Sequence, residues 1–461
     1  MIRSITFVTA AALAVSTPAF AQHQHEPVAQ TEPRHQHEPA PAPAPAPQPA
    51  PHDPSMHQGM DHAEHGMDHE QHMMGAAMTG VLGPYGMSRD ASGTAWQPDV
   101  SEHGGIHSMH GEWMVMSHLM LNGVYDWQDG PRGDDKAFLA GMIMGSARRD
   151  IGANGTLNLR AMLSPDPLMG ASGYPLLFAA GETANGADTL VDRQHPHDLF
   201  MELAASYAHE LTPYSSVFIY GGLPGEPAFG PPAFMHRLSA MDSPEAPITH
   251  HWFDSTHITF GVLTVGYVVG DWKFEGSRFR GREPDEHRYD IESGDLDSSA
   301  LRVSWNPTRN LALQASWADI TSPEALHADE DEERWSVSGI YTRELGEEGW
   351  WSTTLAFANK ERTDGASLDA WLAEAALHPN DRWTLFARGE SVETDELGAP
   401  HGPAETVARL SVGAIRDWRI NDNAVFGVGA LVQTHLAPSA LEPSYGGDPE
   451  GGMAFVRLKI G

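Results

Sequence analysis

Cysteine is absent from this sequence of 461 residues. Its absence excludes disulfide bonds, thiolate metal sites, cysteine nucleophiles and lipid attachment through an N-terminal cysteine. Basic residues are scarce as well, with 28 Lys and Arg against 62 Asp and Glu and a formal net charge of −34. Because nucleic-acid binding needs clustered Arg and Lys against the phosphates, we predict no nucleic-acid partner. An acidic chain instead attracts cations to its surface.

Long apolar runs are also lacking. A transmembrane helix needs about 18 or more uninterrupted apolar residues, and no segment supplies them. The run from Ile5 to Val15 is too short, but Arg3 precedes it and a small-x-small motif at Ala19–Ala21 follows it. This is the form of a secretory signal peptide, which we place at residues 1–21. We therefore expect an exported protein without transmembrane helices.

Residues 22–102 are predicted to form a disordered tail rich in His, Met and Pro, because such a composition has too few apolar residues to fold alone. HQHEP occurs twice, an Ala-Pro run follows, and MHQGMDHAEHGMDHEQHMMG occupies 56–75. Imidazole suits copper, nickel and zinc, and the thioether favours Cu(I), so copper is the predicted ion, ahead of nickel or zinc. The candidate ligands in this segment are His57, Met60, His62, His65, Met67, His69, His72, Met73 and Met74.

The tail leads directly into the first predicted strand. Its last candidate ligands are placed in glycine-punctuated coil and are His103, His107, Met109 and His110. From Glu112 to Trp127 the residues alternate, which divides a strand into two faces. One face is aliphatic and aromatic; the other carries Met114, Met116, His118 and Met120. We expect this second face to line the interior and to continue the metal-binding chemistry, although methionine is also a common filler of apolar space.

The fold prediction for residues 103–461 is all-β: a transmembrane antiparallel β-barrel of about sixteen strands, with twelve or fourteen as alternatives. Short alternating segments follow one another without a convincing amphipathic helix. The candidates are 112–127, 136–148, 155–164, 198–211, 215–222, 256–269, 271–281, 298–306, 310–319, 333–343, 350–360, 367–378, 382–391, 405–416, 423–434 and 452–461. Short and long connections alternate, and tryptophans including Trp252, Trp272 and Trp305 occur near strand ends. Short turns at one rim, long loops at the other and aromatic girdles are typical of outer-membrane barrels. A secreted β-sandwich or propeller is the alternative.

Three of the long predicted loops are dense in ligand-type residues. They contain DRQHPHD, THHWFDSTH and GREPDEHRYD. Barrel closure brings neighbouring loops together, so we predict a shared metal site or constriction. Its candidate residues are His195, His197, His250, His251, Asp254, His257 and His287, with Asp285 and Glu286 beside them. The alternative is a structural role, because buried loops also need hydrogen bonds and ion pairs. Ser255, Asp254 and His257 lie too close in sequence, without a nucleophile elbow, for us to predict an enzyme.

The signal peptide, the MDHAEHGMDHEQHMM tail and the barrel pattern together resemble the outer-membrane barrels encoded in bacterial copper-resistance operons, typified by copper resistance protein B. The resemblance is closest over residues 1–75, and the barrel segments do not align with that family motif by motif. It implies a role in copper tolerance in a Gram-negative outer membrane, without catalysis. It also implies lipid contact and periplasmic partners such as a multicopper oxidase.

The predicted mechanism combines these features. Both ends of an even-stranded barrel face the periplasm, so the tail would capture copper there, and weak sites along the first strand would receive it for sequestration or export. The alternative functions are a general porin and an outer-membrane hydrolase with structural histidines.

Overall fold

Polar residues point inward and apolar residues outward along most strands. In Ser298–Thr308, Arg302 is 1% exposed and its neighbour Leu301 is 56% exposed. A sheet in a soluble protein buries its aliphatic face instead. Apolar side chains outside and polar ones inside are the arrangement of a membrane barrel, whose outer surface faces lipid.

The computed structural model describes residues 79–101, 104–398 and 402–461. Sixteen of its strands form one closed antiparallel barrel, β2 to β4 and β7 to β19, with β19 paired to β2. The strands are β1 Ile106–His110, β2 Trp113–Gln128, β3 Asp135–Ile151, β4 Gly155–Leu163, β5 Tyr174–Thr183, β6 Thr189–Gln194, β7 Phe200–Thr212, β8 Ser215–Gly222, β9 Val262–Val269, β10 Trp272–Phe279, β11 Ser298–Thr308, β12 Leu311–Ile320, β13 Glu332–Glu344, β14 Trp350–Arg362, β15 Ser367–Asn380, β16 Trp383–Thr394, β17 Glu405–Asn421, β18 Ala424–Leu436 and β19 Glu450–Ile460.

Helical structure in the described residues is confined to single turns. The α-helical turns are α1 His250–Phe253 and α2 Glu442–Tyr445, and the 3-10 turns are Met87–Arg89, Asp166–Met169, Phe234–His236, Ser255–His257 and Ala325–His327. Among the described residues, no helix has the length and apolar character needed to cross a membrane.

The predicted sixteen-stranded barrel is confirmed, and each of the sixteen predicted segments overlaps one barrel strand. Connections such as 213–214, 270–271 and 309–310 form the short-turn rim, whereas 164–199 and 223–261 are long. Gly270, at φ 57°, supplies the left-handed conformation that a two-residue hairpin turn favours. The exposed rings of Trp272 and Trp305 stack with centroids 4.8 Å apart at the short-turn rim.

Three features of the predicted organisation are wrong. Residues 106–110 are not coil but strand β1, which pairs with β2. The predicted strand 256–269 begins only at Val262, because the residues before it belong to a long loop. Trp252 belongs to no girdle: it is buried and donates from Nε1 to the Leu368 carbonyl at 3.0 Å.

A fourth correction concerns the predicted tail, which includes residues 79–101. This segment, here called the inner strap, packs against the inner face of the barrel and is not disordered. Leu82, Tyr85 and Trp96 form a buried cluster with inward-facing residues of β7, β8 and β9. Ser216 donates to the Leu82 carbonyl at 2.7 Å, and Lys273 donates to the Thr94 carbonyl. The apolar residues of the strap therefore complete the core at the short-turn end.

Residues 223–261, here called the lumen loop, fold into the barrel and contact most of its wall. Buried arginines on the strands hold it by ion pairs: Arg409 contacts Glu245, and Arg457 contacts Asp242. Arg237 of the loop contacts Glu374 of β15 at 2.6 Å. Charges buried in a barrel need such partners, so the inward-pointing polar residues of the strands and the loop stabilise each other.

Candidate functional site

Five histidines from two long loops meet inside the barrel. His195 and His197 follow β6, which with β5 forms a hairpin that the sequence did not predict. His250 and His251 lie in α1, and His257 ends the next 3-10 turn. All five are buried, and their ring centroids lie 5.2 Å (His197–His257), 5.2 Å (His250–His257), 5.6 Å (His250–His251), 5.8 Å (His195–His251), 6.0 Å (His195–His250) and 6.3 Å (His195–His197) apart. The loops therefore assemble the predicted set of histidines into one cluster.

Three of these rings are oriented through Nδ1. His197 contacts Asp166 Oδ2 at 2.8 Å, His250 contacts Asp254 Oδ1 at 2.8 Å, and His257 contacts the Asp254 carbonyl at 2.6 Å. Each contact favours a proton on Nδ1 and leaves a lone pair on Nε2. Within the described residues, Nε2 of His197 and of His257 is buried without a hydrogen-bond partner. A carboxylate or carbonyl behind Nδ1 and an unpaired Nε2 in front form the arrangement that supports metal-ligating histidines.

The other two histidines lie beside carboxylates. His195 Nε2 is 3.2 Å from Glu182 Oε1, and His251 Nδ1 is 3.5 Å from Glu283 Oε1. Glu182 has φ 53°, a left-handed conformation that is costly for a residue with a side chain. Next to it, a Cβ on Gly181 would lie 2.8 Å from His251 Cε1, so the close approach of this ring requires glycine. The backbone of β5 therefore places the Glu182 carboxylate beside His195 and leaves room, at Gly181, for the His251 ring.

Burial and charge set the protonation of the cluster. Burial lowers the pKa of His195, His250 and His257, in His250 against the opposing effect of Asp254. Burial alone would also lower the pKa of His251, but the facing Glu283 carboxylate outweighs it and raises that pKa. Burial opposes ionisation of Asp254, yet the Arg237 guanidinium and the His250 hydrogen bond prevail and lower its pKa. Most of the cluster is therefore neutral and able to donate lone pairs at neutral pH.

The cluster is not closed around one point. In the part of the chain that the structure describes, the one group of three residues with a ligand atom each within 4.8 Å is Asp285, Glu286 and His287. This group is not joined to the cluster as predicted: His287 is exposed and contacts Asp285. The same loop instead supplies Glu283 to His251, and Arg288 to Glu182 and Asp198. An ion bound by the cluster must draw its rings closer together.

Ser255, His257 and Asp254, for which the sequence predicted no catalytic role, do not form a relay of side-chain contacts in the structure. The Ser255 hydroxyl accepts from Arg334 at 3.0 Å, and the Asp254 carboxylate contacts Arg237 and His250. His257 contacts only the backbone carbonyl of Asp254 through Nδ1. The arrangement offers no support for a serine nucleophile.

A cavity, here called the methionine chamber, lies between β2, β3, the inner strap and the lumen loop, and its volume is about 230 Å³. The predicted inward face of β2 contributes Met114, Met116, His118 and Met120, and β1 contributes His107. Sequence reasoning missed the remaining soft donors, which are Met87, Met142, Met144, Met235, His236, Met241 and His378. Pairing the alternation of the first two strands would have found two of them, because Met142 lies opposite Met120, and Met144 opposite His118.

One turn of the lumen loop joins the two sites. The Phe234 ring lies against His250, His197 and His257, with centroids 5.6, 6.1 and 6.3 Å away. The next two residues, Met235 and His236, line the methionine chamber. The chamber and the histidine cluster are therefore neighbours across a single turn.

The remaining predicted ligands lie elsewhere. Met109 is 66% exposed and His110 is exposed on β1, so neither belongs to the chamber. His103 and the tail ligands His57, Met60, His62, His65, Met67, His69, His72, Met73 and Met74 lie outside the described residues.

The solved structures to which this chain is similar include several outer-membrane barrels. The anion-selective porin of Comamonas acidovorans has a TM-score of 0.48 at 10% identity, with 76% of this chain and 100% of the porin covered. Salmonella typhi OmpF, in complex with daunomycin, has a TM-score of 0.48 at 11% identity and coverages of 77% and 100%. The channel DcaP of Acinetobacter baumannii has a TM-score of 0.42 at 10% identity and coverages of 78% and 100%. Similarity at this level has no bearing on substrate. No protein-family model and no curated protein matched the sequence.

Proposed function

We propose that this protein is an outer-membrane barrel that captures periplasmic copper with its His/Met tail and holds it inside the barrel for sequestration or export. The observation that carries the proposal is the histidine cluster: within the described residues, His197 and His257 are anchored through Nδ1 and keep a buried, unpaired Nε2. A buried polar atom without a partner is costly, and a bound cation removes that cost.

The choice of copper rests on donor chemistry. Imidazoles alone also suit nickel and zinc, but the adjoining chamber adds thioethers, which favour Cu(I). The resemblance of residues 1–75 to copper-resistance barrels supports the same ion. Several weak sites in series permit an ion to move on, whereas a single tight site would retain it. Delivery to or from a periplasmic multicopper oxidase is part of the proposal.

The first experiment measures copper bound by the full-length protein in lipid vesicles. Gln substitution of both His197 and His257 should abolish Cu(II) binding in the barrel, because glutamine retains polarity but loses the imidazole. The matched control is His287→Gln with His110→Gln, two exposed histidines, which should bind as the parent protein does. Equal Cu(II) stoichiometry in all three proteins would contradict the proposal.

The second experiment tests the tail. Deletion of residues 56–75 should lower both the copper tolerance of cells and the copper stoichiometry of the protein. If both remain unchanged, the tail has no part in capture.

A general porin is the alternative, and the observation that favours it is the closed sixteen-stranded barrel itself. Against it, the inner strap and the lumen loop occupy the interior of the barrel. Flux of small uncharged solutes, described in the Discussion, distinguishes these functions.

A further inference from the structure

Methionines are concentrated around one cavity to an unusual degree. Thirteen methionines occur in the described residues, and eight of them line the methionine chamber. They come from three separate parts of the fold: β2 and β3 of the wall, the inner strap through Met87, and the lumen loop through Met235 and Met241. Because three separate chain segments supply these methionines, the composition of a single strand does not explain why they meet around one cavity.

Filling of apolar space does not account for this arrangement. Methionine is used in cores because its flexible side chain closes irregular gaps. Here Met116, Met120, Met142 and Met144 are buried, yet they surround about 230 Å³ of open volume. Protein interiors pack to high density, with few voids larger than a water molecule. The thioethers around this open volume are therefore positioned to contact a ligand that enters the chamber.

The two acidic side chains of the chamber, Asp90 and Asp242, are engaged by other groups. Asp90 accepts from the Tyr85 hydroxyl at 2.7 Å and from the Val81 amide at 2.9 Å, and Asp242 contacts Arg457. The lining thus presents mainly thioether sulfur. Soft donors of this kind select soft cations, and they favour Cu(I) over zinc or nickel.

The basic side chains of the lining repel a divalent cation more strongly than a monovalent one. Arg148, Arg160 and Lys459 border the chamber. Arg160 is paired with Glu202 at 2.6 Å, which reduces its field. Because Coulomb repulsion scales with ionic charge, a monovalent cation meets half the repulsion that a divalent cation would meet there.

We propose that the methionine chamber is a second metal site, specific for soft monovalent cations such as Cu(I) and Ag(I), and separate from the histidine cluster. The inference rests on the proposed copper function and deepens it by assigning an oxidation state to each site. The imidazole cluster takes Cu(II), and the thioether chamber takes Cu(I).

Ag(I) is the probe, since it is monovalent, soft and stable in air. The background is the full-length chain with every Met and His of residues 22–78 replaced by Ser, so that the tail contributes no ligands. Met142→Leu with Met144→Leu should lose the bound silver ion and its sulfur shell in silver-edge X-ray absorption. Leucine preserves the volume and hydrophobicity of methionine, so the barrel should still fold. Met235→Leu with Met241→Leu independently tests the part of the lining that the lumen loop contributes.

The matched control is Met201→Leu with Met453→Leu, because both methionines are fully buried and neither lines the chamber. It should retain silver with sulfur ligands. Three results would overturn the inference. Both chamber variants could retain silver, the control could lose as much silver as they do, or the silver in the parent protein could have nitrogen ligands alone. Cu(II) measured in the same proteins separates the two proposals. If Cu(II) binds nowhere while silver still depends on the chamber methionines, only the histidine-cluster function fails.

Discussion

At the scale of single residues, the chain pairs histidine with aspartate in two different environments. Asp166 contacts His197 Nδ1 at 2.8 Å in the buried cluster, and Asp285 contacts His287 Nδ1 at 3.1 Å on an exposed loop. Only the buried pair can fix a ring against neighbours on all sides. A contact between aspartate and histidine is therefore not sufficient to orient a metal ligand. Burial of the contact fixes the His197 ring in position.

The first prediction is that Asp166→Ala weakens Cu(II) binding by about 10–100-fold, the usual effect of removing the group that orients a ligating histidine. Without the carboxylate, the His197 ring loses its fixed tautomer and orientation. Competition titration of the full-length protein measures the change. Asp285→Ala is the matched control and should bind Cu(II) as the parent does; a comparable loss in the control would show a nonspecific effect of charge.

The second prediction concerns pH and stability in the absence of metal. Because burial lowers the pKa of His195, His250 and His257, these three histidines take up protons more readily in the unfolded chain than in the folded one. The contribution of these groups to stability is therefore complete above about pH 6.5, the usual histidine pKa, and declines as the pH falls below it. Urea unfolding at pH 7.5 and 5.0 should show this decline, and His257→Gln should reduce it. An identical decline in parent and variant would exclude His257 as a source.

Sequence patterns predicted the five histidines and Asp254 of the site, but not its other carboxylates. The prediction chose Asp285 and Glu286, whereas Glu283 of the same loop turns inward to His251. Asp166 and Glu182 were missed because each precedes its histidine by more than ten residues, Asp166 in a 3-10 turn and Glu182 in the unpredicted strand β5. Composition shows that ligand-type residues are present in a loop, and only the folded loop shows which of them are buried together.

At the scale of elements, the lumen loop determines both sites, since it carries three of the five clustered histidines and one wall of the chamber. Arg237 fastens this loop in the middle. It donates to Asp254 at 2.8 Å within the loop, to Glu374 of β15 at 2.6 Å and to the Pro232 carbonyl at 2.7 Å. The guanidinium thus links the cluster to the barrel wall.

The third prediction is that Arg237→Met destabilises the folded barrel by about 3–5 kcal/mol, because removing one partner leaves buried carboxylates uncompensated. The lumen loop should also become sensitive to protease. Unfolding in urea and limited proteolysis measure the two effects. Arg382→Ala removes an exposed pair with Asp381 and should change stability by no more than about 1 kcal/mol. Equal stability of the Arg237 variant and the parent would contradict the anchoring role.

Strand alternation was sufficient to predict every barrel strand but not the contents of the barrel. Leu301 and Val303 alternate with Arg302 and Ser304 in a pattern that fixes two faces. The inner strap and the β5–β6 hairpin have no such pattern; the hairpin register is broken between Pro175 and Ala180, and again before Thr183. Segments without periodicity are placed by tertiary contacts, which a single sequence does not reveal.

At the scale of the whole molecule, the barrel is wide enough for a channel, but two segments of its own chain occupy much of its interior. Sixteen-stranded porins leave an aqueous passage. Here the inner strap packs against β7, β8 and β9, and the lumen loop crosses to β15, β17 and β19. Both inserts belong to the chain itself and are held by buried polar contacts.

The fourth prediction is that vesicles containing the full-length protein swell much more slowly in small neutral sugars than vesicles containing an open porin. Three residues of the inner strap pack in its apolar cluster: Leu82, Tyr85 and Trp96. Replacing all three with Gly should loosen the short-turn end and increase swelling. Gly substitution at exposed Met109 is the control. Rapid swelling with the unaltered protein would instead favour the general porin.

The closure of the barrel has a consequence for biogenesis. The seam between β19 and β2 places Lys459 opposite Met120 and Ile460 opposite Leu119, and all four border the methionine chamber. In an unfolded chain on its way to the membrane, the residues of each pair are about 340 positions apart in sequence, and the chamber does not exist. A metal ion can enter the methionine chamber only after β19 has paired with β2. Metal bound in the chamber would therefore report that the barrel has closed.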